Sequence, residues 1–366
     1  MTVLLYPRDS RQDEGFYRFL FEALRRHAGA RMTAAPRPVP RMEKPRQHES
    51  VWIDWDGIQV LVDMSDHVFL FDLPALKSCD IYLKANLNIS LAEKILAQAG
   101  VTEESRKIRP FFFLPPTLTS CARLARWSCP FRSGDWRPFD YCHIVGVYDN
   151  PFLTGAPPEA DLDIPAGVRT NHFWSRYHVQ RALKGTGMKG FSRLTSRGNP
   201  ALLDKGGVVR ANLDSRIFLL VMTASRATIL NTLPHAVFPW KVWESVALGV
   251  PFVVERRPLM TMPKALELAP GRHYLELLPE LPGFDESLDP DDPRAYRLFP
   301  EIRLERLQER AEWLKDEIRN RSRMAEMRAE VDSYRRRVLR PEFMAEFFGE
   351  TVRHTAAGQG GAIWGG

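Results

Sequence analysis

Short apolar runs alternate with amphipathic segments along most of the chain. Residues 2–7 (TVLLYP) have the pattern of a buried strand, and 15–29 (GFYRFLFEALRRHAG) sets Phe16, Phe19, Leu20 and Leu24 at helical spacing. VWIDWD (51–56), IQVLVDM (58–64), DIYLKA (80–85) and KIRPFFFLP (107–115) read as strands. SLAEKILAQAG (90–100) reads as a helix, opened by Ser90 three residues before Glu93 and stopped by Gly100. After a loop-like stretch at 128–140 the alternation starts again. Strands are expected at 143–149, 226–231, 251–255 and 273–277, and helices near 170–184, 213–225 and 241–249. Two further helices, with alternating surface charge, fill 301–350 and break before Pro341. The pattern predicts an α/β protein of two domains, 1–135 and 136–300, followed by C-terminal helices at 301–350 and a disordered tail at 351–366.

Length and composition fit that division. A chain of 366 residues exceeds one ordinary core, and 44% hydrophobic content is globular. The net charge of +6 is concentrated in one place: residues 25–47 hold seven Arg and Lys against one Glu, which accounts for all of it. A duplex nucleic-acid binder spreads positive charge over a folded face, so that class is excluded and a local basic, Pro-rich loop (30–48) remains. The spacing of Cys79, Cys121, Cys129 and Cys142 matches no zinc pattern. No apolar run is long enough to span a bilayer and the first residues lack the features of an export signal, so a cytoplasmic protein with reduced thiols is expected.

The stretch 240–278 carries the chemistry. A helix begins near Trp240 with Lys241 and Glu244 three residues apart in its first turns. Helix N-termini attract anions, a lysine there adds a point charge for phosphate, and a carboxylate one turn on can accept two hydroxyl hydrogens of a ribose. Gly249 and Pro251 then turn the chain into PFVVE. Ligands of open α/β sheets bind beyond the carboxyl ends of the strands, so the segment reads as a nucleotide-diphosphate pocket.

The pattern K-x-x-E-x-x-A-x-G-V-P-F-V-V, followed by P-G-R-H-Y-L, resembles the donor-binding C-terminal domain of GT-B glycosyltransferases of the group 1 and exostosin-like kinds. The resemblance covers about 143–278. It implies two Rossmann-like domains facing a cleft, with the acceptor on the first and the nucleotide sugar on the second, and C-terminal helices crossing back to the first domain. It places Glu244 on the donor ribose, Lys241 near the pyrophosphate, Gly146 in the turn after the first strand and Arg176 on the diphosphate, with Arg169 as its competitor. The second glutamate of many retaining members is replaced by Ala236.

Other signals are discounted or left open. GTGMKG (185–190) spells G-x-G-x-x-G, but a helix precedes it and an extended segment follows, so Gly185 reads as a helix stop. Asp54 and Asp56 form a D-x-D that reads better as a turn than as a metal site, and no metal or cofactor is expected. An inverting reaction needs a general base. Asp13 and Asp66 are the candidates, ahead of Asp9 and His67. Arg256 and Arg257 follow a strand end and are candidates to face the cleft.

The expected function is therefore metal-independent transfer of a sugar from a nucleotide-diphosphate sugar to a hydroxyl of a glycan or glycoconjugate acceptor. The basic loop suits an acidic acceptor or, through residues 31–47, contact with an anionic membrane surface. The alternatives are a nucleotide-sugar epimerase or hydrolase on the same frame, or a non-catalytic protein that binds polyanions or a membrane surface.

Overall fold

The structure, a computed structural model, describes residues 2–6, 14–33, 35, 50–64, 71–112, 121, 137–147, 171–196, 208–210, 215–232, 238–258, 260–279 and 304–358. Most of the basic loop, together with Asp9, Asp13, Asp66, His67, Arg169 and Ala236, lies outside them. The chain divides into two compact units. One comprises Met1–Thr119, Met260–Glu267 and Tyr334–Gly366, and the other Ser120–Leu259 and Leu268–Ser333.

The amino-terminal unit is built on strands β1 (Val3–Tyr6), β2 (Arg31–Met32), β3 (Ser50–Trp55), β4 (Ile58–Asp63), β5 (Ile81–Lys84) and β6 (Ile108–Pro110), in the spatial order β2-β1-β3-β4-β5-β6. Only β3 runs against its neighbours. Without it the parallel strands follow the flavodoxin-like order. The β3–β4 turn explains the D-x-D. Asp56 and Gly57 both have positive φ, 54° and 89°, as a tight two-residue hairpin turn requires. Asp54 accepts from the Gly57 amide at 2.8 Å and from Gln59 at 3.0 Å, and Asp56 accepts from the Thr2 amide at 3.0 Å. Asp54 is held within the hairpin, and Asp56 ties its turn to the residue before β1.

Around this sheet lie α1 (Glu14–His27), α2 (Leu73–Ser78), α3 (Ile89–Gln98) and a C-terminal helix, α9 (Pro341–Ala356). Helix α3 starts one residue before Ser90, because the Asn88 side chain caps the Leu91 amide at 3.1 Å. The short α2, absent from the hydrophobic pattern, is opened by Asp72 capping Ala75 at 3.1 Å. Helix α9 corrects the expectation of a disordered tail from 351. It continues to Ala356 because Val352 is fully buried and Thr351 bonds back to the Phe347 carbonyl at 2.8 Å. Phe348 of this helix packs on Trp55 with ring centroids 5.4 Å apart.

At the carboxyl ends of β4 and β5 a charge pair is sealed inside the unit. Lys84 Nζ lies 3.0 Å from Asp63 Oδ2, and both side chains have no exposed surface. The Tyr82 hydroxyl donates to the same carboxylate oxygen at 2.6 Å and accepts from the Asp72 amide at 3.2 Å. The ammonium also sits 5.1 Å from the centre of the Phe71 ring.

The second unit is a wholly parallel sheet. Its strands β7 (Phe139–Val147), β8 (Gly190–Ser196), β9 (Val208–Arg210), β10 (Ser225–Leu230), β11 (Phe252–Val254) and β12 (Tyr274–Glu276) lie in the order β12-β11-β10-β7-β8-β9. This is the Rossmann order 3-2-1-4-5-6 read from the opposite side, with its switch point between β7 and β10. Helices α4 (Asn171–Gly185), α5 (Ser215–Thr223), α6 (Trp240–Leu248), α7 (Leu304–Arg319) and α8 (Arg321–Val338) accompany it. Segment 301–350 thus forms three helices rather than two. The extra break falls at Asn320, whose side chain accepts from the Arg323 amide at 3.1 Å and opens α8. Leu307, Ala311, Leu314 and Ile318 of α7 form one apolar stripe and are buried in a core with Val179, Leu183 and Ile229. The G-x-G-x-x-G run joins α4 to β8, helix before and strand after, the reverse of what a dinucleotide fingerprint needs.

Candidate functional site

Doubly wound sheets bind ligands past the carboxyl ends of their strands at the switch point, which here means beyond β7 and β10. Helix α6 presents its first turn on that side, after the loop that follows β10. Pro239 stands at the N-cap in extended conformation, so no side chain caps the turn. Gly249, with φ 65°, ends the helix as its left-handed cap and sends the chain into β11. Residues Val242 to Leu248 are all buried. Glu244, at 3% exposure, is therefore not a solvated helix carboxylate. Lys241 reaches back to β7 and donates to the Ile144 carbonyl at 2.7 Å, with the Phe218 ring 5.1 Å from its ammonium. An ammonium has three donors, and this bond holds the charge beside the end of β7.

The structure brings Lys241 and Gly146 to the same strand end. Gly146 is not a turn residue, as the resemblance implied. It is the penultimate residue of β7, paired with Thr195 of β8. The reason is that β7 runs to Val147, its pairing with β8 continuing to Ser196. Arg176 lies in α4 and is 8% exposed, so it is not a solvated helix arginine. Arg256 and Arg257 separate. Arg257 is exposed and pairs with Glu276 at 2.9 Å, whereas Arg256 is 2% exposed and its main chain exchanges hydrogen bonds with the Thr232 hydroxyl at 3.2 and 3.4 Å. Asp13 and Asp66 lie outside the described residues. Among the described residues no group of three or more His, Cys, Asp or Glu is placed to hold a metal ion.

Beneath the strand ends runs a buried polar chain that the sequence reading missed. The Gln180 amide donates to the Ser192 hydroxyl at 2.9 Å, and Ser192 lies 3.3 Å from His143 Nδ1. His143 Nε2 lies 3.2 Å from Asn231 Oδ1, and the Asn231 amide nitrogen donates to Glu255. A carboxylate only accepts, so Asn231 must point its nitrogen at Glu255 and its oxygen at His143. That fixes the neutral tautomer with the proton on Nε2 and makes Ser192 the donor to Nδ1. The chain links β8, β7, β10 and β11, four adjacent strands, and ends on a fully buried carboxylate. Its signal in the sequence was a polar residue closing an apolar strand: Asn231 after RATIL and Glu255 after PFVV.

Burial, with the positive charges of Lys241, Arg176 and Lys184, pulls the His143 pKa down from 6.5 to about 3, against the raising effect of the Asn231 bond. The folded state cannot take up a proton that the unfolded chain binds below pH 6.5. Stability linked to His143 is complete above that pH and is lost as pH falls toward 3. The expected slope is about 1.4 kcal/mol per pH unit inside that window. Urea denaturation at pH 7 and pH 5 checks it, and the pH dependence should be shallower in His143→Gln.

No protein-family model matches the chain, and no curated protein sequence matches it. Among solved structures it is similar to the HepE protein of Anabaena in complex with UDP and glucose, at 13% identity and a TM-score of 0.42, over 80% of this chain and 71% of that one. It is also similar to the pneumococcal O-GlcNAc transferase GtfA in complex with UDP and GlcNAc, at 12% identity and a TM-score of 0.39, over 76% and 46% of the two chains. A UDP-forming α,α-trehalose-phosphate synthase from Burkholderia xenovorans matches at 11% identity and a TM-score of 0.36, over 79% and 67%.

Proposed function

We propose that the chain is a metal-independent glycosyltransferase of the GT-B kind, which moves a sugar from a nucleotide-diphosphate sugar to an acceptor hydroxyl. The observation that carries this reading is the placement of Lys241 and the buried Glu244 on the uncapped helix α6, at the switch point of a Rossmann-ordered parallel sheet. An uncapped helix end and a lysine suit a diphosphate. A carboxylate one turn on suits a ribose diol. In the reaction the leaving diphosphate gathers negative charge, and Lys241, Arg176 and the helix end would stabilise it. Glu255, held by Asn231, and the adjacent Arg256 lie at the next strand end and would shape the sugar side of the pocket. If the reaction inverts the sugar carbon, Asp13 and Asp66 are the bases to test.

The experiment is incubation with a panel of nucleotide-diphosphate sugars, with and without glycan hydroxyl acceptors, following nucleoside diphosphate release. Release that rises with acceptor supports transfer. Conversion of the sugar with no acceptor present and no diphosphate released would instead identify an epimerase, and equal release with and without acceptor a hydrolase.

A further inference from the structure

The buried polar chain reaches the candidate donor site in two short steps. Ile144, whose carbonyl takes the Lys241 ammonium at 2.7 Å, follows His143 in β7. Asn231, whose side-chain oxygen meets His143 Nε2 at 3.2 Å, follows the last residue of β10 and opens the connection to α6, where Lys241 is the second residue. Both partners of the Lys241–Ile144 bond therefore stand on segments that the His143–Asn231 bond ties together. On its other side Asn231 donates to Glu255, just past β11. The next residue repeats that tie. The Thr232 hydroxyl donates to the Arg256 carbonyl at 3.2 Å and accepts from the Arg256 amide at 3.4 Å. The ends of three neighbouring strands, β7, β10 and β11, are thus pinned through Asn231, with Thr232 doubling the β10–β11 link.

His143 and Glu255 have no exposed surface, and Asn231 has little. Polar groups buried at this depth lose their hydration and add little net stability compared with an apolar core. What a satisfied polar chain supplies is a single fixed arrangement. Asn231 is suited to that task, because a carboxamide presents an acceptor to the imidazole N–H and, from a separate atom, a donor to the carboxylate. We propose that Asn231 is a positioning residue of the donor site: it holds the end of β10 against β7 and β11 and so sets the Lys241 ammonium where the diphosphate binds. This inference rests on the donor-site reading given above. Asn231 acts through Lys241 and not by touching the ligand, so its contribution to binding requires the lysine.

Equilibrium titration of the full chain with ADP, CDP, GDP and UDP selects the tightest ligand, and a double-mutant cycle with that ligand tests the inference. Lys241→Ala should weaken binding at least about tenfold. Asn231→Ala should weaken it about tenfold in the wild-type chain, but change it by no more than about twofold in the Lys241→Ala chain. A merely structural role would lower affinity by the same factor in both. The polarity swap Asn231→Asp with Glu255→Gln keeps both hydrogen bonds and the total charge, since the carboxamide at 255 then donates to the carboxylate at 231. It should bind within about threefold of wild type. If circular dichroism shows that Asn231→Ala does not fold, Asn231→Asp takes its place in the cycle, because it keeps the volume and turns an acceptor toward Glu255. Equal losses in the two backgrounds, no loss in the wild-type background, or a folded swap variant as weak as the single variant would overturn the inference and leave the donor reading standing. Failure of wild type to bind any of the four, or of Lys241→Ala to weaken binding, would overturn the donor reading and this inference with it.

Discussion

Lys84→Met is expected to destabilise the protein by about 3–5 kcal/mol, the cost of leaving a buried charge without its partner. Asp63 has no exposed surface, so its carboxylate cannot turn to water when the ammonium is removed. The Tyr82 hydroxyl would remain as a donor at 2.6 Å, but a neutral donor does not balance the charge. The double change Lys84→Met with Asp63→Asn should recover most of the loss. The carboxamide oxygen can still accept from Tyr82, and no charge is left inside. Urea denaturation of the three variants measures this. Equal stability of Lys84→Met and wild type would mean that the pair is not sealed from solvent. The pair lies where β4 and β5 end and the segment leading to Asp66 begins, so its removal should also loosen that edge of the sheet.

On the proposed donor site, Lys241→Ala combined with Glu244→Ala should weaken nucleoside diphosphate binding by about 100-fold, through loss of the charge proposed to meet phosphate and of the carboxylate proposed to meet the ribose. Truncating Glu244 removes buried atoms, so Glu244→Gln is the companion variant: it keeps the volume and loses only the charge. If Lys241 contacts phosphate, Lys241→Ala alone should weaken a nucleoside diphosphate more than the free nucleoside. If Glu244 holds the ribose, Glu244→Gln should weaken both to a similar degree. Equilibrium titration of the two ligands separates these effects, and circular dichroism verifies that the variants fold.

The α/β architecture was legible because both periodicities are strong in this chain. TVLLYP, IQVLVDM, RATILN and PFVVE are apolar runs too short for helices, and each became a strand. The helices with continuous apolar stripes were found to within a few residues of their ends. What escaped was short or set by side-chain chemistry. β2 has two residues, and α2 depends on Asp72 as a cap. The break at Asn320 is a capping event with no change in hydrophobic period. Strand order could not be read at all, because pairing is decided by crossovers whose geometry no local pattern encodes. In the site, Lys241 and Glu244 stood out because their spacing sits in a longer motif. His143, Asn231 and Glu255 did not, because their meeting depends on β7, β10 and β11 being neighbours. Arg176 showed the limit of one-dimensional reading: a helix arginine looks the same whether its face is wet or buried.

The most direct test of the donor-site assignment is hydrogen–deuterium exchange of the full chain with and without each of the common nucleoside diphosphates at saturating concentration. Protection is expected at the end of β7 around residues 144–147 and over the first turns of α6, from Trp240 to Glu244. Unchanged exchange in both segments would contradict it.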